Sequence, residues 1–483
     1  MSRRRGSLDF ALSTFLPALT AILLCGTALD ALAAQTTWDA GPGGTGTLWN
    51  DPANWVGDAL PASGDTVLLD NSVQSSLPGT MYLNQDFIIR SLQFGSTNTV
   101  LVRGDSAGTL RTLALTGDGT TPLIDVSQPG SLALSRSGFS YSSSWDLNLN
   151  VGASGGTFHV VPGGTLAING DILGSGIITI TGGGTVVTRE LQAANGPAYH
   201  KQFKGKWVVT ENSTLTLNAL SRISPLGETP AFFVPDKITL NGGRLNQKFY
   251  PYCISPSCGI TLGSAGGSLV DNNQAYYYCA FTGAGSLTLS PSGNTLYQKN
   301  TYTGGTTIQS GTVRLGVGNA LPAGGNLTVR GGALEMGTNS QSVGTLTMSG
   351  GTIQTSATGY KSVGPCVLTL GGDVTYDATY AGAAEARIQS SVNLGSVGRR
   401  FIVGDGPSTG DLWVDGKIYG GPASGNGLIK DGPGTLTLYY ASNRYTGATI
   451  VNAGTLSLYG NSTPPLSPVS LTAAGARLKV YAK

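Results

Sequence analysis

Short segments of alternating apolar and polar residues recur along the chain. In Gly-Thr-Leu-Thr-Leu at residues 434–438 and Gly-Thr-Leu-Ser-Leu at residues 454–458, two leucines flank one small polar residue. Successive side chains of a β-strand point to opposite faces, so this period of two predicts strands with one buried face. The predicted inward residues are Leu436, Leu438, Leu456 and Leu458, and the predicted outward ones are Thr437 and Ser457.

The same alternation recurs at many other places, and no long helical pattern separates the copies. Related segments occupy residues 164–168, 213–217, 285–289, 311–315, 326–329 and 345–348. Near-identical strands favour stacking on their own copies, which is the arrangement of a solenoid. We therefore predict an all-β, right-handed parallel β-helix, right-handed because parallel crossovers almost always are. Its coils are expected to take about 20 to 25 residues each.

Composition agrees with a folded chain that is rich in turns. The 483 residues include 73 glycines, whereas only 11% are charged. The 40% hydrophobic content argues against disorder, because enough apolar surface is present to offset chain entropy. A formal net charge of +2 gives no reason to expect a nucleic acid partner.

The first 34 residues have the pattern of a secretory signal peptide. Arg3, Arg4 and Arg5 precede an apolar run at 15–24, and small residues follow at 31–34. The run is shorter than the ~20 residues needed to span a bilayer. We expect cleavage near residue 34, export, and no membrane span after cleavage.

Three tryptophans open the region that follows the signal peptide. Trp38, Trp49 and Trp55 lie within residues 35–75, in a chain with six tryptophans. Large rings most often serve core packing, so we predict an N-terminal cap on the first coil, although flat rings also stack on sugars. The predicted organisation is a signal peptide at 1–34, the cap at 35–75 and the β-helical repeat region at 76–483.

Export leaves four cysteines in an oxidising compartment, where disulfides form. Cys253 and Cys258 flank Pro256 and are candidates for a disulfide, although four cysteines allow three pairings. Their spacing is unlike that of a zinc site, and His159 and His200 lie far away in sequence. No metal site and no cofactor are therefore predicted.

Two longer segments carry a family resemblance. The segment NTYTGGTTIQSGTVRL at 300–315 and the segment GPGTLTLYYASNRYTGATIVNAGTLSLYG at 432–460 resemble the autotransporter-associated β-strand repeat. The resemblance covers residues 35–75 and 205–460. It implies a β-helical passenger-type protein that is secreted, extracellular or held on the surface of a bacterium, where it acts in adhesion or as a spacer. Repeat-like sequence continues to Lys483, without the pattern of a C-terminal membrane β-barrel.

Catalytic signatures are sparse. Polysaccharide lyases and hydrolases on β-helices need a basic residue or paired carboxylates, and the acidic residues here are scattered. His200 has no carboxylate nearby in sequence, and His159 alternates with Phe158 and Val160 as an outward strand residue would. We predict a protein without enzymatic activity that acts as a structural spacer or adhesin. A carbohydrate-active β-helix enzyme and a glycan-binding module remain the alternatives.

Two features suggest binding. Arg103-Gly104-Asp105 spells the tripeptide that integrins recognise, which a glycine-rich chain also produces by chance. Tyr276, Tyr277 and Tyr278 are candidates for glycan binding, although alternation allows at most two of them on one face. The expected partners are surface glycans or host or matrix components.

Overall fold

The computed structural model describes residues 34–41, 46–107, 109–135, 146–189, 202–219, 225–249, 254–271, 273–355, 366–439, 443–459 and 468–481. Within these ranges the chain forms β-strands joined by turns, with one 3-10 turn at Pro52–Asn54. The paired strands run parallel and belong to successive coils, so the predicted parallel β-helix is confirmed. No helix in the described ranges is long and apolar enough to cross a membrane.

Each coil contributes strands to as many as three sheets. Sheet 1 begins with Gln35–Thr37, Thr66–Asp70, Ser91–Gly95, Ile124–Val126, Gly155–Val160, Ile177–Thr181, Trp207–Thr210, Val234–Asn241, Cys258–Leu262 and Phe281–Gly283. Sheet 2 contains Thr80–Tyr82, Thr99–Arg103, Ser131–Leu134, Thr165–Ile168, Thr185–Arg189, Thr214–Ala219, Gly243–Phe249, Gly267–Leu269, Leu287–Leu289, Thr306–Ile308, Gly325–Val329, Gln341–Met348, Val374–Tyr376, Arg399–Val403, Asn426–Asp431, Ala448–Val451 and Val469–Leu471.

Sheet 3 has two parts. The N-terminal part comprises Phe87–Ile89, Arg111–Leu115, Leu147–Asn150 and Ile172–Leu173. The C-terminal part comprises Gln274–Tyr277, Gly293–Leu296, Thr312–Leu315, Ala333–Glu335, Gly351–Gln354, Ala386–Ile388, Leu412–Val414, Thr435–Leu438, Thr455–Tyr459 and Arg477–Tyr481.

One long strand joins two ladders. The first three residues of Gln341–Met348 pair with Val367–Leu370, and its last three pair with Val374–Tyr376. The ladder that starts at Val367–Leu370 takes the position of sheet 1 in the later coils and continues through Ser391–Asn393, Ile418–Gly420 and Arg444–Tyr445. The joined ladders do not enclose a barrel, because each pairing connects one coil to the next.

The register places like residues on like residues. Leu436 pairs with Leu456 and Leu438 with Leu458, and all four leucines are buried as predicted. Thr437 pairs with Ser457 on the outer face, but both are also buried. Trp413 is the ladder neighbour of Thr437, and its ring centroid lies 5.5 Å from that of Tyr459. The indole therefore covers the outward position between them.

Coil length varies more than the sequence pattern predicted. Leu456 follows its partner Leu436 by 20 residues, but Ile124 follows its partner Leu92 by 32. The strands themselves stay short, so the additional residues of the N-terminal coils lie in the loops between sheets. The expectation of 20 to 25 residues per coil is wrong for this part of the rod.

The three N-terminal tryptophans pack on each other over the first coil. Trp55 contacts Trp38 and Trp49 edge to face, with ring centroids 4.9 and 5.3 Å apart, and Trp49 contacts Phe87 at 5.7 Å. The Trp55 indole also donates a hydrogen bond to the Trp49 carbonyl. All three indoles are 0% exposed, so they form part of the core and offer no platform for a sugar ring.

Candidate binding surface

The tyrosine triplet straddles a strand of sheet 3. Tyr277 is fully buried, whereas Tyr276 and Tyr278 are half-buried on the outer face. Tyr278 stacks on Tyr297 of the next coil, with ring centroids 4.4 Å apart and planes 8° from parallel. Tyr276 lies 6.0 Å from the same ring. We name Tyr276, Tyr278 and Tyr297 the tyrosine patch.

Tyr277 is a correction to the candidate glycan site. Its hydroxyl donates a 2.8 Å hydrogen bond to the buried carboxylate of Asp271. Because neighbouring residues of a strand face opposite ways, placing Tyr276 and Tyr278 outside forces Tyr277 into the core. Tyr297 was missed by sequence reasoning, because only the register of the coils brings it beside the triplet.

Asp271 is the polar centre below the tyrosine patch. Its carboxylate also accepts hydrogen bonds from the Gln247 backbone amide and, at 2.8 Å, from the Asn294 side chain. Burial nevertheless raises the pKa of Asp271 to about 6. Three donors from three coils converge on one carboxylate, so this residue ties neighbouring coils together and is closed to a ligand.

A second aromatic row occupies the last coils of sheet 3. Tyr459 stacks on Tyr481 at 4.3 Å and on Tyr439 at 6.1 Å, and Trp413 lies 5.5 Å from Tyr459. The Arg387 guanidinium sits 4.5 Å from the Trp413 ring centroid. No sequence pattern had singled out this row, because its members are spaced by whole coils.

Charged residues on the outer faces pair between successive coils. Arg314 bonds to Glu335 at 2.9 Å, and Arg387 bonds to Asp415 at 2.9 Å. On sheet 2, Arg400 bonds to Asp431 at 2.7 Å. Each pair joins a basic residue on one coil to an acidic residue on the next, so these charges hold the rod together.

The integrin-like tripeptide is held inside the fold. Arg103 forms a 2.7 Å ion pair with Asp146, which is only 2% exposed, and Asp105 pairs with Arg111 at 2.8 Å. A Cβ on Gly104 would come within 1.5 Å of the Asp146 carbonyl oxygen. The tripeptide is therefore a structural element here, with both charged groups already paired.

Acid–base chemistry has one candidate pair. His159 Nδ1 lies 2.7 Å from Asp125 Oδ1, on adjacent strands of sheet 1, with half-exposed side chains. His159 is an outward strand residue, as its alternation predicted. His200 lies outside the described residues. Within the described ranges no group of three metal-ligating side chains comes together.

Cys258 is a buried free thiol near the start of its sheet 1 strand, and burial raises its pKa. Cys253 lies outside the described residues, so their pairing stays a prediction. Cys279 and Cys366 are also buried free thiols.

The segment that carries the family resemblance forms the same corner twice. In Tyr-Thr-Gly-Ala-Thr the Tyr445 hydroxyl lies 2.6 Å from the Thr449 hydroxyl, and in Tyr-Thr-Gly-Gly-Thr the Tyr302 hydroxyl lies 2.7 Å from that of Thr306. Both tyrosines are 1% exposed. Gly447 has a φ of +84°, which glycine adopts without strain. The phrase thus encodes a turn between sheets.

An asparagine two residues before each tyrosine bonds to a neighbouring coil. Asn300 accepts a hydrogen bond from the Phe281 amide on the previous coil and donates one to the Ala320 carbonyl on the next. Asn443 accepts a bond from the Ile418 amide in the same way. Together, the asparagine and the tyrosine satisfy backbone groups at a buried corner, where unpaired groups are costly.

Comparison with known proteins locates these corners in a recognised repeat. The passenger-associated-transport-repeat matches residues 282–315 and 428–458, which contain both corners. The adhesin BmaC autotransporter of Brucella suis biovar 1 (strain 1330) is 26% identical over 265 residues, or 53% of this chain and 6% of that protein's length. No solved structure matches. The chain is an autotransporter-associated repeat protein that carries two passenger-associated transport repeats.

Proposed function

We propose that this chain acts outside a bacterial cell as an adhesin-like β-helical protein without enzymatic activity, and that its rod is a spacer for contact surfaces. The observation that carries the proposal is that both matched repeats are built into coils of one continuous parallel ladder. A relative described as an autotransporter adhesin supports the same assignment. The chain spans 6% of that relative, so its adhesive role is part of the proposal.

We further propose that the tyrosine patch is an adhesive contact and that its ligand is a glycan. Tyr276, Tyr278 and Tyr297 present polar hydroxyls and apolar ring surface together on an outer face. Aromatic rings with a hydroxyl suit such half-wet contacts. Since Tyr278 and Tyr297 stack on each other, one face of each ring is already covered. A ligand would therefore meet the remaining ring surface and the phenol groups.

A glycan array with the purified chain tests this proposal. The double substitution Tyr276→Ala and Tyr297→Ala should reduce binding at least tenfold, whereas the control Tyr419→Ala, a half-buried tyrosine on another face, should leave it unchanged. Circular dichroism of each variant checks the fold. Unchanged binding by a folded double variant would overturn the tyrosine patch as a glycan site.

Asp125 and His159 are the observation that favours an enzyme as the second candidate. The pair has the geometry of a general base held by a carboxylate. Turnover of a polysaccharide that is lost in His159→Ala, but kept in the control Thr181→Ala at the neighbouring position, would contradict the non-enzymatic assignment. We expect no turnover in either protein.

A further inference from the structure

Two buried cysteines occupy equivalent positions on successive coils. Ile260 pairs with Phe281 in sheet 1, and Thr261 pairs with Thr282. Cys258 precedes Ile260 by two residues, and Cys279 precedes Phe281 by two. Extending the register backwards therefore sets Cys258 directly beside Cys279.

Both side chains point into the core. Cys258, Ile260 and Leu262 are buried at alternate positions, and the same parity buries Cys279 and Phe281 on the next coil. Cys258 is 1% exposed and Cys279 is 0% exposed. The charge of a Cys258 thiolate would act on Cys279 and help to raise its pKa, which burial already raises, so the two sulfurs lie near each other.

This geometry fits a disulfide. Neighbouring strands of a sheet lie about 4.8 Å apart, and bridged cysteines have Cα atoms roughly 4.4 to 6.8 Å apart. Both thiols are free in the structure. We propose that Cys258 and Cys279 form a disulfide that links two successive coils when the chain folds under oxidising conditions.

The reaction needs an external disulfide as oxidant, such as an exported thiol–disulfide oxidoreductase or oxidised glutathione. The Cys258 thiolate attacks one sulfur of that disulfide, forms a mixed disulfide and releases one thiolate. The Cys279 thiolate then attacks the Cys258 sulfur, closes the new bond and releases the second thiolate. The two protons lost by the cysteines end on the two thiols of the reduced oxidant.

Burial sets the order of events. It raises the pKa of both thiols, and the thiolate is the attacking species. The bond therefore forms before the two coils close, or during an opening of these coils. Once formed, it lies in the core and resists reduction until the coils open.

The alternative pairing of Cys253 with Cys258 excludes this bond, because both use Cys258. Cys366 precedes Val367–Leu370, which lies several coils further along the rod. It is therefore a control thiol that the proposed bond does not involve.

Peptide mapping of the full chain distinguishes these pairings. The chain is refolded with oxidised and reduced glutathione, alkylated, and digested with trypsin and chymotrypsin. Trypsin alone keeps all three cysteines in one peptide, because no lysine or arginine lies between Lys248 and Lys299. Chymotryptic cleavage at residues 276–278 then separates Cys279 from Cys258.

The expected product is a linked pair of peptides, one with Cys258 and the other with Cys279, while Cys366 is alkylated. The link should persist in Cys253→Ser and Cys366→Ser and disappear in Cys279→Ser. The oxidised wild type should also melt at a higher temperature than the reduced protein, a difference that Cys279→Ser should lack. A Cys253–Cys258 bond, or alkylation of both Cys258 and Cys279 in the oxidised wild type, would overturn the proposal. Mapping needs no adhesive ligand, so its result is independent of the proposed function.

Discussion

The hydroxyl of Tyr445 lies 2.6 Å from the hydroxyl of Thr449, four residues later, inside the corner between two sheets. Tyr302 and Thr306 form the same contact at 2.7 Å in the earlier repeat. Burial raises the pKa of Tyr445 to about 12, so its hydroxyl stays protonated at neutral pH. The most specific phrase of the repeat therefore encodes a hydrogen-bonded corner.

Removing this hydroxyl should weaken the corner. Tyr445→Phe keeps the ring but deletes the hydrogen bond, and we expect a loss of about 1 kcal/mol, because the Thr449 hydroxyl stays buried without its partner. Thermal unfolding measures the change. In a double-mutant cycle with Thr449→Val, the double variant should lose less than the sum of the single variants. Strict additivity would show that the contact contributes nothing.

Arg103 should be required for folding of its coil. Arg103→Ala leaves the carboxylate of Asp146, which is 2% exposed, without its cation, and breaking such a buried pair costs about 3 kcal/mol. The exposed Arg477 provides the control, since Arg477→Ala should change stability by less than about 0.5 kcal/mol. Equal melting temperatures of the two variants would contradict the structural role of the tripeptide.

Asp271 should make the rod less stable as the pH rises. Burial raises its pKa from 3.8 to about 6, so between these values the folded chain holds a proton that the unfolded chain has lost. Stability from this group is complete below pH 3.8 and declines through pH 6, by about 3 kcal/mol in total.

Melting temperatures between pH 4 and pH 7 check this step. Asp271→Asn should remove it, because the amide does not titrate. Asp118→Asn should keep it, because hydrogen bonds from Thr121 and Thr120 hold the pKa of Asp118 below this window. A step that survives in Asp271→Asn would assign the titration to another group.

The last described strand, Arg477–Tyr481, should promote association. Leu478 and Val480 occupy inward positions opposite Leu456 and Leu458, but they are 37% and 64% exposed. An uncovered strand edge with apolar side chains is a template for pairing. Val480→Lys should reduce concentration-dependent association in sedimentation velocity, and the outward control Lys479→Gln should not. Equal sedimentation of the wild type and Val480→Lys would contradict this role.

The sequence predicted whatever depends on short-range alternation. It gave the parallel β-helix, the inward leucines and the outward position of His159, because side-chain parity follows from the strand period alone. Contacts between coils were beyond it. Tyr297 reaches Tyr278, and Trp413 reaches Tyr459, only through loops of unequal length that fix the register. The same limitation hid the equivalence of Cys258 and Cys279, whose alignment depends on the pairing of Ile260 with Phe281.

The central claim is that successive repeats stack in register along one rod, and distances between spin labels test it most directly. Thr352 and Lys479 lie in one outward column of sheet 3, five coil steps apart, and Thr312 lies two steps further along the same column. At about 4.8 Å per step, labels at 352 and 479 should lie roughly 24 Å apart, and labels at 312 and 479 roughly 34 Å. The stacked rod predicts two narrow distributions that differ by about 10 Å. Broad distributions, or equal distances for the two pairs, would contradict it.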